Sequence, residues 1–236
     1  MAEGIFERAV RSFWEVREQQ KAKQIAEGKA DAGTRGSVTG GAHLDALTEL
    51  IVDHFVEVLN YPRSAIRLGR SAELPGYYRP TKQWDLVVTD GNQLVAAIEL
   101  KSQVGSFGNN FNNRTEEAIG SAVDLRRAID RGLLGPARPW LGYLFLLEDI
   151  DGSTQPAKKD FKPRFPADSA FAGRPSYAER YRLLCKRLLE DGLYDAACFV
   201  LAPKSPHQPI RQLDDELTYS RFIESLTQHV KNEPGL

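Results

Sequence analysis

The spacing of apolar residues divides the chain into helix-like and strand-like stretches. Phe6, Val10, Phe13, Trp14 and Arg17 recur at three- and four-residue intervals with charges between them. That spacing predicts an amphipathic helix over residues 5–28, stopped by Gly28. Leu44, Leu47, Ile51, Phe55 and Val58 share one face of a second helix over 43–59. A short strand is expected over 65–70. Two apolar runs, 84–89 and 94–101, then flank Asp90-Gly91, which suits the two central positions of a type I′ turn, so they read as a hairpin. The string from Ser102 to Arg114 holds four asparagines and reads as a structured loop. Thr115 is the expected cap of the next helix, with Glu116 and Glu117 in its first turn and Gly132 after its end near Arg131. Trp140 to Leu147 is a nearly unbroken apolar run, as a buried central strand requires. Residues 148–175 read as a long loop, 176–191 as a helix, 194–201 as a buried strand and 217–231 as a last helix. The order α, α, β, β-hairpin, α, β, α, β, α predicts an α/β protein with one mixed sheet flanked by helices, in a single domain over 1–236.

The hairpin carries the candidate chemistry. Side chains alternate faces along a strand, so Glu99 and Lys101 point the same way and Leu100 points opposite. With a turn of two residues or slightly more, Asp85 comes beside Glu99. Two carboxylates suit Mg²⁺, which takes one or two of them together with waters and phosphate oxygens. A lysine beside them can orient a water and stabilise developing charge. The rival reading is that Glu99 and Lys101 form a solvated surface pair in a metal-free structural domain. Asp85 weighs against it, because a carboxylate within an apolar run is costly unless paired or bound to metal. Glu49, on the preceding helix, is the candidate for a further metal-binding carboxylate; a solvated helix face is its alternative.

Composition adds limits. Of 236 residues, 42% are apolar and 27% charged, enough for a core. A net charge of −1 rules out a uniformly basic nucleic-acid binder, but the charge is uneven. Between Tyr61 and Trp84, Arg63, Arg67, Arg70, Arg79 and Lys82 face only Glu73. Tyr77, Tyr78, Arg79 and Lys82 interleave aromatics with cations, a pattern that suits nucleic acid, with Lys82 as a contact. The glycines at 33, 36, 40 and 41 do not make a P-loop, since the lysine that should follow is absent. They form either a connector or a loop that approaches phosphate, with Arg35 and Thr39 as contacts. Asn110, Asn113 and Arg114 are candidates for reading bases, because asparagine pairs with adenine and arginine with guanine. Cys185 and Cys198 are too few for a disulfide framework and read as buried thiols. With no signal pattern at the N-terminus and no apolar run near the length of a membrane span, the expected compartment is the cytoplasm.

Several strings resemble a known family. Thr81 to Val88, with Asp85, and Glu99-Leu100-Lys101-Ser102-Gln103-Val104 are similar to the PD-(D/E)XK nucleases and, within them, to XhoI-type restriction endonucleases. The more specific strings are Gly33 to Gly41, Ser106 to Arg114 and Glu116 to Gly120, with Tyr177 to Tyr181 and Leu193 to Ala197 also similar. Trp84 stands where the superfamily name has proline, a variable position. The resemblance implies a PD-(D/E)XK restriction-endonuclease-like core. It also implies a Mg²⁺-dependent homodimer that cuts double-stranded DNA at CTCGAG after the first C, alongside a cognate DNA methyltransferase that need not bind it. Asp85, Glu99 and the Leu100 carbonyl would hold metal, and Lys101 would be the catalytic lysine. The competing expectations are another DNA nuclease of the superfamily, for repair or junction resolution, and a non-cleaving DNA-binding protein on the same fold.

Overall fold

The structure, a computed structural model, describes residues 2–26, 42–158 and 164–232. Its helices are α1 (Ala2–Ala26), α2 (Asp45–Asp53), α3 (Phe107–Asp130), α4 (Asp151–Thr154), α5 (Tyr177–Glu190) and α6 (Tyr219–Asn232). Its strands are β1 (Ile66–Leu68), β2 (Glu73–Pro75), β3 (Thr81–Gln83), β4 (Leu86–Asp90), β5 (Gln93–Gln103), β6 (Trp140–Glu148) and β7 (Ala196–Ala202). β1, β4, β5, β6 and β7 form one sheet in that order. β1, β4 and β5 pair antiparallel, while β5, β6 and β7 run parallel. No described helix is long and apolar enough to cross a membrane.

A parallel sheet needs crossovers, and α3 and α5 supply them on one face. They close one core over Phe145, Leu147 and Phe199, using Ala118, Ala122, Leu125, Tyr181, Cys185 and Leu188. On the other face α1, α2 with the π-helical turn His54–Val58 that follows it, and α6 bury Phe6, Phe13, Ile51, Phe55, Phe222 and Leu226 against Leu86, Ile98 and Leu144. Burial on both faces explains why β6 and β7 read as unbroken apolar runs rather than alternating ones. Helix α5 starts where Ser176 and Glu179 cap each other reciprocally.

Three expectations are corrected. The asparagine string is not a loop before a Thr115 cap: α3 begins at Phe107, and the Thr115 hydroxyl donates to the Phe111 carbonyl inside the helix. Four asparagines weaken a helix by about 0.6 kcal/mol each. Buried Phe107, at about 2 kcal/mol, and half-buried Phe111, at about 1 kcal/mol, pack on Tyr177 and Tyr181 and offset that cost. Glu117 is therefore not in a first turn; it accepts from Arg114 instead. The hairpin loop is Gly91-Asn92, not Asp90-Gly91, because Asp90 still pairs with Gln93; Gly91 takes φ +53°. The second, two-stranded sheet of β2 and β3 does not follow from the apolar pattern. Its strands are three residues each, too short to show alternation.

An irregularity in β5 decides which face its acid points to. The register runs Asp90↔Gln93 and Thr89↔Leu94, then jumps to Val88↔Ala96, leaving Val95 unpaired as a β-bulge. Val95 and Ala96 accordingly both join the α1–α2 core, and Leu94 and Ala97 the opposite one. Past the bulge, the register continues as Val87↔Ala97 and Leu86↔Ile98.

Candidate active site

The pairing of β4 with β5 ends at Leu86↔Ile98, so the next residues, Asp85 and Glu99, lie opposite each other just beyond it. Because of the bulge, both point to the α3–α5 face. With β4 exhausted, the Leu100 N–H has no strand to donate to, and Asp85 Oδ2 accepts it at 2.7 Å. A strand residue's N–H and C=O point to the same edge, so the Leu100 carbonyl also faces the Asp85 side.

Glu99 is 5% exposed and has two cationic partners. Lys101 Nζ lies against Oε1, and Lys82 Nζ donates to Oε2 at 2.6 Å. Lys82 arrives from β3 and rests over the Trp84 ring, 4.1 Å from its centroid. Burial alone would raise the Glu99 pKa, but Lys101 and Lys82 together hold it below the ordinary value. The Asp85 carboxyl is pushed up, first by burial and then by the Glu99 charge. Lys101 is raised: burial disfavours its charge, but Glu99 and Asp85 more than offset that. Lys82 is lowered by burial in spite of Glu99.

The donor set fits a hard divalent cation. It offers two carboxylates and a backbone carbonyl on one edge, all oxygen. Both Glu99 oxygens already face positive charge. Among the described residues no group of three or more His, Cys, Asp or Glu gathers to form a metal cage. Glu49 is not brought to the pair: it is about half exposed and meets Arg63 at 3.5 Å.

The other sequence candidates divide between α3, the β2–β3 hairpin and the opposite core. Arg114 pairs with Glu117 at 2.6 Å; its side chain is mostly buried and its Nε has no partner among the described residues. Its charge reaches Lys101, opposing that ammonium. Asn113 is exposed on α3, and Asn110 donates to the Ser106 carbonyl at 3.0 Å. Arg35 and Thr39 lie outside the described residues. Lys82, expected at DNA, instead sits on Glu99. His43, expected near a helix start without a chemical role, is buried in the opposite core beside Phe13, with Nε2 3.3 Å from Ser102 Oγ.

Asp124 does not stand out in the sequence. Its buried carboxylate accepts the N–H groups of Tyr77 and Tyr78, both at 2.8 Å, and Arg79 Nε at 2.6 Å. It thereby ties the β2–β3 hairpin, which carries Lys82, to α3. Gly76 is needed there, since a Cβ would come within 2.7 Å of the Arg79 carbonyl and of Asp124 Oδ2. The signal that could have found it is an acid on the buried stripe Ser121, Asp124, Ala128 of a helix.

A sheet with paired acids and a lysine where one hairpin strand gives out is the arrangement of a nuclease of the restriction-endonuclease type. The restriction endonuclease XhoI family model matches residues 23–211. The chain is 39% identical over 220 residues to the type II restriction enzyme BstVI of Geobacillus stearothermophilus, covering 89% of this chain and 96% of that protein. It is 44% identical over 198 residues to the type II restriction enzyme XhoI of Xanthomonas vasicola, covering 82% and 78%. It is 44% identical over 172 residues to the type II restriction enzyme AbrI of Azospirillum brasilense, covering 72% and 76%. No solved structure matches the chain. The chain belongs to the XhoI family of type II restriction endonucleases.

Proposed function

We propose that the protein is a Mg²⁺-dependent endonuclease that makes a double-strand cut in DNA at CTCGAG, after the first C. The observation that carries the chemistry is the pairing of Asp85 with Glu99 beside Lys101 on one face of the sheet. Asp85, Glu99 and the Leu100 carbonyl hold the metal. When bound, the ion supplies Lewis acidity toward a phosphate oxygen and lowers the pKa of a water. Lys101 directs its ammonium at the attacking water and the phosphate, placing positive charge where negative charge develops. Asp85 fixes the strand end through the Leu100 N–H and so keeps Glu99 and Lys101 aimed at one point. Glu49 remains a candidate only for an outer role, given its pairing with Arg63.

The protein acts as a homodimer, since a palindrome read by protein calls for matching two-fold symmetry. Exposed Asn113, with Asn110 and Arg114 on the same two turns of α3, reads bases. Arg35 and Thr39 meet the phosphate backbone, while Lys82 is turned to Glu99. The enzyme works in the cytoplasm beside a methyltransferase that protects the same site. The free, buried state of Cys185 and Cys198 supports that compartment.

The test is plasmid digestion with Mg²⁺ followed by end sequencing. The expected result is discrete bands whose ends begin TCGA. Structure-dependent nicking would instead indicate a repair or junction nuclease. Specific binding without cleavage would indicate a DNA-binding protein on this fold. Full cleavage in excess chelator would remove the metal from the mechanism. Sedimentation should give a dimer, and a monomer both free and on DNA would overturn the symmetry argument.

A further inference from the structure

Lys82 occupies a position that the chemistry does not explain. Lys101 already neutralises Glu99, yet a second ammonium from a separate hairpin reaches the other carboxylate oxygen at 2.6 Å. With both lysines in place, the two carboxylates and two ammoniums cancel. A divalent ion bound to that Glu99 oxygen at about 2.1 Å would lie only about 4 Å from the ammonium. The two cations would compete for one oxygen atom and repel each other beside a buried carboxylate.

We propose that Lys82 is the resident cation of the metal-free site, which a divalent metal must displace from Glu99, so that Lys82 sets metal affinity. This rests on the assignment of Asp85 and Glu99 as metal ligands. Two features make displacement feasible. The ammonium lies 4.1 Å from the centroid of the Trp84 ring, which holds it after Glu99 is given up. Lys82 also belongs to a three-residue strand paired only with β2, outside the main sheet, so its side chain can move without disturbing β5. In the metal-free protein the contact keeps a buried carboxylate from standing half-paired. Lys82 is thus a positioning residue for Glu99, acting before metal and substrate arrive.

The experiment uses the full chain without DNA. Mn²⁺ uptake is followed by loss of the free-ion EPR signal, and thermal unfolding is recorded in chelator and in saturating Mn²⁺. Lys82→Met keeps most of the stem and removes the charge. It should bind Mn²⁺ about tenfold tighter than the parent. Its melting temperature should fall in chelator, and the gap to the parent should close in Mn²⁺. Lys82→Arg should keep the contact and bind Mn²⁺ no tighter than the parent. If Lys82→Met does not fold without metal, Lys82→Gln replaces it, with the same direction and a smaller gain.

Equal Mn²⁺ affinity in parent and variant, with the same loss of melting temperature in both media, would make Lys82 an ordinary structural ion pair and overturn the proposal. Failure of the underlying assignment looks different. In that case Asp85→Asn takes up Mn²⁺ as well as the parent, or neither the parent nor Lys82→Met takes up any, and the proposal falls with the site. Uptake by Lys82→Met alone supports it most strongly.

Discussion

Replacing Asp124 with asparagine tests whether the β2–β3 hairpin is held by this one carboxylate. The side chain is isosteric, so the change is one of charge and of one acceptor. Tyr77 and Tyr78 both donate to Oδ1, and Arg79 Nε to Oδ2. A hydrogen bond to a charged group contributes about 1.5–3 kcal/mol and a neutral one about 1 kcal/mol. Each of the two amide bonds therefore loses about 1 kcal/mol on neutralisation. The Arg79 side chain is 44% exposed, so its ion pair adds only about 0.5 kcal/mol, and an amide –NH₂ facing Nε removes it. The sum is a loss of about 2–3 kcal/mol, against about 0.5 kcal/mol for Arg79→Ala. Urea unfolding at pH 7 reads this as a lower midpoint at constant slope. The pH dependence has a definite sign. Burial would raise the Asp124 pKa, but the Tyr78 N–H, the Arg79 guanidinium and the Tyr77 N–H hold it below the ordinary value. A carboxylate lowered on folding stabilises above its unfolded pKa, and that stability is lost as pH falls through the folded value. The gap between parent and Asp124→Asn should therefore narrow in acid. A loss within about 0.5 kcal/mol of zero at pH 7, or one equal to that of Arg79→Ala, would refute the anchor.

Asp85→Asn, Glu99→Gln and Lys101→Ala should each lower plasmid cleavage by about 100-fold or more while the circular dichroism stays native; any variant that cuts like the parent takes its residue out of the chemistry. His43 is pushed down to about 4 by burial and then by the nearby Arg17 charge, so the folded state excludes a proton that the unfolded chain binds near 6.5. Stability should then fall by about 3 kcal/mol between pH 7 and pH 4, a slope that His43→Gln should lack. An equal acid loss in both proteins would contradict the buried neutral ring. Asn113→Ala should lose about 1–3 kcal/mol of discrimination between target and non-target DNA while keeping its melting temperature. Arg114→Ala, because of the Glu117 pair and its burial, should lose stability as well. Unchanged specificity in both would move base reading away from α3.

The meeting of Asp85, Glu99 and Lys101 in the candidate site was legible because two acids and a lysine at strand spacing are conspicuous in apolar runs. The helices were legible wherever a face repeated over several turns, as in α5 and α6. The start of α3 was not, because asparagine propensity is local, whereas the packing of Phe107 and Phe111 on Tyr177 and Tyr181 joins residues some 70 positions apart. Lys82 shows the same limit. Its sequence neighbours are cations and tyrosines, so it reads as a DNA contact, but its partner, Glu99, comes from a different sheet. Asp124 was hidden because an acid within a helix is usually solvated, and only the hairpin folded over it reveals three donors.

The unpaired Val95 gives the hairpin a rule of odd and even. A two-residue turn without the extra residue would set Asp85 opposite Ile98, leaving Glu99 on the far side of the sheet from Asp85's face. The fourteen-residue step between the two acids is therefore a parity condition rather than a length. Lengthening or shortening this stretch by two residues at the turn can preserve the site, because both acids keep their face. Removing one residue, such as Val95 itself, leaves the motif intact to any reader of the sequence, yet divides Asp85 and Glu99 between the two faces of the sheet.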